Sequence, residues 1–378
     1  MRILVLLRGF DTLNKHVPGN FELDQAKALA AAGHDVRAVA VDTRSPLHPR
    51  RVGSYEYTAD GIPVLYVSYP SGRGIPALQD ALSTAGMKKA FRILDREGWR
   101  PDIVHAHFLS KGRVFCTVAE CERIPFVITE HTSWLNNREL DEKTVAQMRL
   151  VYGKAARVIA VGKGLRDNIL FHTGVEAQIV PNIADTSVFT CPGTRRQRSE
   201  TFHFVTVGNL YRRKGFDLLL SALAELLARG ESVRLTLIGG GEEETALKAQ
   251  ARDLGIENAV HFTGALSRES IAQIYADADA FVLASRGETF GVVYIEAMSA
   301  GLPVIATRCG GPEDFVDENN GILIQPEDIP ALTNAMKRMI HERERFDDER
   351  IAAFAKEHFS PQAVAARLTE IYKEIVPC

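Results

Sequence analysis

Residues 286–307 read RGETFGVVYIEAMSAGLPVIAT, and the reading of this stretch decides the fold. It leaves AFVLAS (280–285), an apolar run of strand length, and ends in GLPVIAT (301–307), another such run. Between them a helix begins near Gly291 and contains Glu296, while Glu288 stands in the loop RGETFG. Strand, loop, helix and strand make the crossover unit of a parallel sheet, and ligands in such sheets bind outside the carboxyl ends of the strands. Glu288 therefore falls at a strand-end crevice. Glu296 is expected about two turns down the helix, reaching towards the same pocket. The free amides of the helix N-terminus can receive an anion. Two carboxylates so spaced suit hydrogen bonds from the vicinal hydroxyls of a ribose or hexose. Taken alone, the spacing favours a plainer reading, with Glu296 a solvated helix residue and Glu288 a surface acid.

The same alternation runs outward in both directions. Downstream of residue 201, FHFVTVGN (202–209), VRLTLIGGG (233–241) and AVHFTGAL (259–266) read as strands, separated by helical GFDLLLSALAELLARG (215–230) and EEETALKAQARDLG (242–255). Upstream, RILVLL, HDVRAVAVD, DIVHAH and PFVITEH are strand-like, and YEYTADGIPVLYVSYP reads as two strands about an Asp60-Gly61 turn. Two α/β halves with parallel sheets covered by helices follow. With 378 residues the chain is about twice a typical domain. The division expected is 1–184, a linker at 185–200 that is polar and carries Pro192 and Gly193, a second domain at 201–358, and a last helix at 359–378 that need not belong to its neighbour.

Composition narrows the class. A hydrophobic content of 46% and a charged content of 25% are those of a globular enzyme, and no apolar run approaches the roughly 20 residues of a membrane span. MRILVLLRGF has a short apolar core stopped by Arg8, which fits a buried first strand better than an export signal. The five cysteines are odd in number and have no zinc or redox spacing, so free thiols in a reducing cytoplasm are expected. Residues 1–184 carry 24 Lys+Arg against 19 Asp+Glu, and residues 185–378 carry 21 against 29. The acidic second half argues against nucleic acid as a partner.

Two further stretches bear chemistry. In VTVGNLYRRKGFDLLLSAL (205–223) a strand ends at Gly208, and a short loop delivers Arg212, Arg213 and Lys214 before a helix. Three cations at such a junction suit a diphosphate, although a solvated basic turn remains open. LIGGGEEE (237–244) lacks the spacing of a nucleotide fingerprint and reads as a pocket wall.

At this point the chain resembles a known family. ETFGVVYIE matches the Glu-x7-Glu motif of retaining family 4 glycosyltransferases, and VGNLYRRKGFDLL resembles their phosphate-binding loop. AGHDV, VHAH, TEHTSW, VPNIADTSVF, FTGAL and AGLPVIAT…GGPEDFV…NGILI fall in the family's order. The resemblance implies a GT-B fold, two Rossmann-like domains facing each other across a cleft. The N-terminal domain would hold the acceptor, the C-terminal domain the nucleotide-sugar, and the last helix would cross back onto the N-terminal domain. It implies that Glu288 meets the donor sugar hydroxyls and Glu296 the ribose. The backbone amides of Phe290, Gly291 and Val292 would meet sugar and phosphates, and Arg213 and Lys214 would neutralise the diphosphate. Gly208 ends the strand before this loop. Asn209 stands where the family often has an arginine, leaving that phosphate contact to Arg212 or Arg213. Leu266 would touch the base through its backbone. HVPGNFE resembles the family's glycine loop, with its pair reduced to Gly19, and His131 in TEHTSW matches the histidine at the reaction centre.

The implied activity is retaining transfer of a hexosyl unit from a UDP- or GDP-sugar to a glycan or lipid-linked acceptor. Charge develops on the departing nucleoside diphosphate, and Arg213, Lys214 and helix N-termini can stabilise it without a metal or other cofactor. Asp277 and Asp279 in YADADAF imitate a metal motif but stand at the end of a helix, the wrong context. Lys88, Lys89, Arg92 and Arg96 alternate with Met87, Phe91, Ile93 and Leu94, as in a helix that could lie on anionic lipid at the inner face of the membrane. An ordinary surface helix is the alternative there. A sugar-nucleotide epimerase, a phosphorylase and a non-enzymatic sugar-binding protein are the competing functions.

Overall fold

The computed structural model describes residues 1–8, 21–44, 47, 51–71, 76–193 and 200–376. Gly19 lies outside them. The chain forms two compact units, Met1–Ile183 with Pro361–Cys378, and Ala184–Ser360.

The first unit runs β1 (Arg2–Leu7), α1 (Phe21–Ala31), β2 (Asp35–Asp42), β3 (Gly53–Ala59), β4 (Ile62–Ser68), α2 (Pro76–Arg96), β5 (Ile103–His107), α3 (Phe108–Glu122), β6 (Phe126–Glu130), α4 (Glu142–Lys154), β7 (Arg157–Ala160), α5 (Lys163–Thr173) and β8 (Ala177–Ile179). The sheet order is β3-β4-β2-β1-β5-β6-β7-β8. Every pairing is parallel except β3 with β4, joined by the turn at Asp60-Gly61. Both faces are covered, so β1 and β5 are buried along nearly their whole length instead of alternating.

The second unit runs β9 (Phe202–Val207), α6 (Phe216–Ala228), β10 (Val233–Ile238), α7 (Glu244–Asp253), β11 (Val260–Gly264), α8 (Arg268–Asp277), β12 (Ala280–Val282), α9 (Val292–Ser299), β13 (Val304–Thr307), β14 (Gly321–Ile324), α10 (Ile329–Glu342) and α11 (Asp348–Phe359). Its six strands are all parallel, in the order β11-β10-β9-β12-β13-β14. The order reverses direction between β9 and β12, a switch point of the kind beside which doubly wound sheets bind ligands.

After α11 the chain enters α12 (Pro361–Ile375), which belongs to the first unit. Val364, Ala365, Leu368, Ile371 and Tyr372 repeat at helical spacing, and this face is buried in the same core as Leu23, Ala26 and Leu29 of α1. Residues 184–193 belong to the second unit: Asp185 pairs with Arg268 at 3.7 Å and Phe189 packs on Tyr275.

The expectation for the basic helix changes here. Met87, Phe91 and Leu94 of α2 are buried within the first unit. The apolar face that would enter lipid is already occupied, leaving Lys88, Arg92 and Arg96 on the exposed side. No helix among the described residues is long and apolar enough to cross a membrane.

Candidate active site

In the second unit, the loops leaving β9 and β12 are locked together by backbone fit. Arg212–Lys214 form a single 3-10 turn, and Gly215 follows at φ 67. A Cβ at Gly215 would stand 1.9 Å from the Ala284 carbonyl oxygen, so only glycine lets the two loops touch. Arg286 closes the junction. Its backbone N–H donates to the Arg213 carbonyl at 2.8 Å, and its guanidinium grips Asp217 with two bonds of 2.8 Å and reaches Glu327. Sequence reading passed over Arg286; its only signal was its place directly before Gly287 and Glu288.

This junction sets Lys214 against Glu288. The ammonium donates to Glu288 Oε1 at 2.6 Å, and the Ser285 hydroxyl donates to the same oxygen at 2.7 Å. Their side chains are 15% and 7% exposed, so the pair is largely shielded from water. Gly208 floors the lysine stem, since a Cβ there would lie 3.9 Å from its side-chain carbons. Of the three cations and two carboxylates singled out in the sequence, Lys214 and Glu288, 74 positions apart, are thus in direct contact. Arg213 is exposed and donates to the Gly287 carbonyl at 3.3 Å. Asn209 is exposed, and its carbonyl accepts from Tyr211 N.

On the other side of Glu288, its backbone N–H donates to the Cys309 carbonyl at 3.2 Å. The Gly310 N–H donates to Glu313, which closes its own loop. The Phe290 side chain is buried against Phe315 and Phe359, so only its backbone is left for a ligand. Gly291 caps α9 at φ 95, and Val292 opens the helix. Glu296 is its fifth residue, about one turn from the start instead of two. It is buried, 7% exposed, and its charge adds to burial in pushing the Tyr275 phenol well up. The Tyr294 phenol is pushed well up too, first by burial and then by the Glu288 charge. Leu266, half-buried, sits between β11 and α8. Of the acids that imitated a metal motif, Asp279 accepts from the His203 backbone N–H at 2.8 Å. No cluster of His, Cys, Asp or Glu among the described residues is arranged to hold a metal.

In the first unit, His131 follows β6 and is 7% exposed. Phe21 stacks on its ring at 5.2 Å and Phe108 lies tilted at 5.0 Å. The loop is held by Glu130, fully buried, which sequence reading also missed although it adjoins His131. Its Oε1 accepts from the N–H groups of His131 and Thr132, each at 2.9 Å, and from the Thr132 hydroxyl. Its Oε2 accepts from Leu109 N and the Tyr152 hydroxyl. Burial, with the nearby Arg8 charge, lowers His131 to about 3, so its ring is neutral near pH 7. Arg8 itself pairs with Glu22 at 2.8 Å and lies over the Phe108 ring. Phe108 has φ 67, a left-handed backbone at the strand end.

Residues 20–188 match the family model described as Glycosyltransferase Family 4, and residues 193–358 match that described as Glycosyl transferases group 1. A D-inositol 3-phosphate glycosyltransferase of Corynebacterium jeikeium is 32% identical over 315 residues, spanning 74% of each chain. The chain belongs to glycosyltransferase family 4. The fold of this glycosyltransferase matches solved GT-B enzymes. Sucrose-phosphate synthase from Thermosynechococcus elongatus aligns over 99% of this chain and 98% of its own, with TM-score 0.79 and 20% identity. Anabaena Alr3699/HepE, in complex with UDP and glucose, aligns over 99% and 100%, with TM-score 0.75 and 22% identity.

Proposed function

We propose that this glycosyltransferase moves a hexosyl unit from a UDP- or GDP-sugar to a hydroxyl of a glycan or lipid-linked acceptor, with retention at the anomeric carbon and without a metal. The observation that carries the reading is the contact of Lys214 with Glu288 at the ends of β9 and β12. A largely buried cation and carboxylate stand where a pyrophosphate and a sugar hydroxyl need opposite partners. In the resting chain each satisfies the other; a donor supplies the lysine with phosphate oxygens and the glutamate with hydroxyls. Arg213 and the amides at the start of α9 add to the charge facing the leaving group. That the Anabaena neighbour was solved with UDP and glucose supports a nucleotide-sugar donor.

In the proposed reaction the bond from the anomeric carbon to the β-phosphate oxygen breaks as the acceptor oxygen bonds to the same face. The departing phosphate takes the acceptor proton, so no protein base is required. Glu288 orients the sugar, Glu296 the ribose, and neutral His131 serves the reaction centre as a hydrogen-bonding group. The first unit is assigned the acceptor. Contact with anionic lipid through Lys88, Lys89, Arg92 and Arg96 is part of the proposal; it would be electrostatic only, and liposome co-sedimentation in rising salt reads it.

The experiment is release of free nucleoside diphosphate. A transferase releases it in step with acceptor. An epimerase consumes no acceptor, and a binding protein releases nothing; either outcome would refute the reading.

A further inference from the structure

The chain has two tryptophans, and the first unit uses them differently. Trp99 is 4% exposed, donates its indole N–H to Asp35 at 2.8 Å and carries the Arg37 guanidinium over its ring. Trp134 is 56% exposed, and among the described residues no ring or cation lies over it and no group accepts its N–H. The backbone beneath it is held firmly. Glu130 accepts from the N–H groups of His131 and Thr132. A 3-10 turn, Ser133–Asn136, follows, with Leu135 N bonded to the Thr132 carbonyl and Asn137 N to the Trp134 carbonyl, each at 3.2 Å. Leu135 is fully buried and anchors the turn from within. Helix α5 holds the far end: Asn168 Nδ2 donates to the Asn136 carbonyl at 2.5 Å, and His172 Nε2 to the Asn137 carbonyl at 3.3 Å. A segment fixed from both ends thus keeps its largest side chain in water and forgoes the gain of burying it.

Trp134 stands three residues beyond His131, so their Cα atoms are at most about 11 Å apart. Its exposed neighbours are uncharged and polar, Ser133 before it and Asn137 after it. The next cation along the chain, Arg138, already lies over the Phe171 ring of α5 at 5.1 Å. A rigid aromatic face with a hydroxyl and an amide beside it matches a pyranose, which is apolar on its C–H face and carries hydroxyls at its rim. We propose that Trp134 is the platform on which a pyranose ring of the acceptor stacks, so that the acceptor is recognised as a glycan beside the hydroxyl that reacts. This rests on the proposed reading of His131 as a reaction-centre residue and of the first unit as the acceptor's. The indole N–H is left to donate to a sugar oxygen at the edge of the stacked ring.

The test has two arms, both on the full chain. The first is tryptophan fluorescence during titration with maltotriose, cellotriose and mannotriose, for wild type and Trp134→Phe. Trp99 is buried, so a sugar on the platform should change the emission of the wild type and leave that of Trp134→Phe unchanged. No response to any of the three, an equal response in both chains, or a response only to phosphatidylglycerol vesicles would overturn the inference. The second arm takes the acceptor that supports nucleoside diphosphate release. Trp134→Ala should raise the KM for acceptor about tenfold or more and leave the KM for donor near wild type, while Trp134→Phe keeps most of the affinity. An unchanged acceptor KM in a Trp134→Ala chain with a native melting curve would overturn it too. The first arm needs neither donor nor turnover, so its failure leaves the proposed function standing; that reading fails separately, in the acceptor-dependent release assay.

Discussion

Replacing Lys214 with methionine removes the ammonium 2.6 Å from Glu288 and leaves a carboxylate only 7% exposed without its cation. Breaking one side of a buried pair costs about 3–5 kcal/mol. The lower end applies, about 3 kcal/mol, because the Lys214 side chain keeps 15% exposure and Ser285 still donates. For a unit of this size each kcal/mol moves the midpoint by about 2–4 °C, so Lys214→Met should melt about 6–12 °C below wild type. Glu288→Gln should lose less, since a flexible lysine can turn its ammonium to water. The double variant removes both charges and should return to within about 1 kcal/mol of wild type, a coupling of about 2 kcal/mol or more in the cycle. Urea and thermal unfolding of the four chains at pH 7 without nucleotide make the measurement. A Lys214→Met chain that melts with the wild type, or a double variant as unstable as the two singles summed, would refute the buried-pair geometry.

Gly215→Ala should unfold the junction, since the new Cβ meets the Ala284 oxygen and the left-handed backbone alone costs about 1–2 kcal/mol; circular dichroism and melting read it, and an unperturbed variant would contradict the close approach. Glu130→Gln keeps one acceptor oxygen where two serve five donors, so a loss of about 2–4 kcal/mol is expected in chemical unfolding. Tyr372→Phe leaves a buried His105 nitrogen unpaired and should cost about 1–3 kcal/mol. Stability should also fall as pH drops from about 6.5 towards 3. Burial holds His105 and His131 to about 3, so over that window the unfolded chain binds protons that the folded chain refuses. At pH 5 this amounts to about 2 kcal/mol per histidine. A urea midpoint that does not change between pH 7.5 and 5 would contradict it.

The order of strands and helices could be read from the sequence because parallel sheets covered on both faces leave continuous apolar runs bounded by glycine. The position of α12 in the first unit could be suspected but not fixed, since its repeat of Val364, Leu368 and Ile371 suits any apolar partner. The contact of Lys214 with Glu288 was not visible, because it depends on Gly215 fitting against Ala284 in the loop that leaves β12. The same holds for Arg286, whose guanidinium is spent holding loops together. Phe290 shows the converse: it sits inside the motif, yet its side chain packs the core. Basic residues at 88, 89, 92 and 96 suggested a lipid-facing helix only because periodicity does not say which of two apolar neighbours, protein or lipid, the helix meets.

Lys214 and Glu288 are proposed to grip the two ends of an activated sugar. Titration calorimetry of UDP-, GDP- and ADP-glucose into wild type and into the folded Lys214→Met/Glu288→Gln double variant tests it most directly. At least one of the three should bind the wild type, and the double variant should weaken it by about tenfold or more, each tenfold being about 1.4 kcal/mol. Equal affinity in the two chains would contradict the assignment of this pair to the donor.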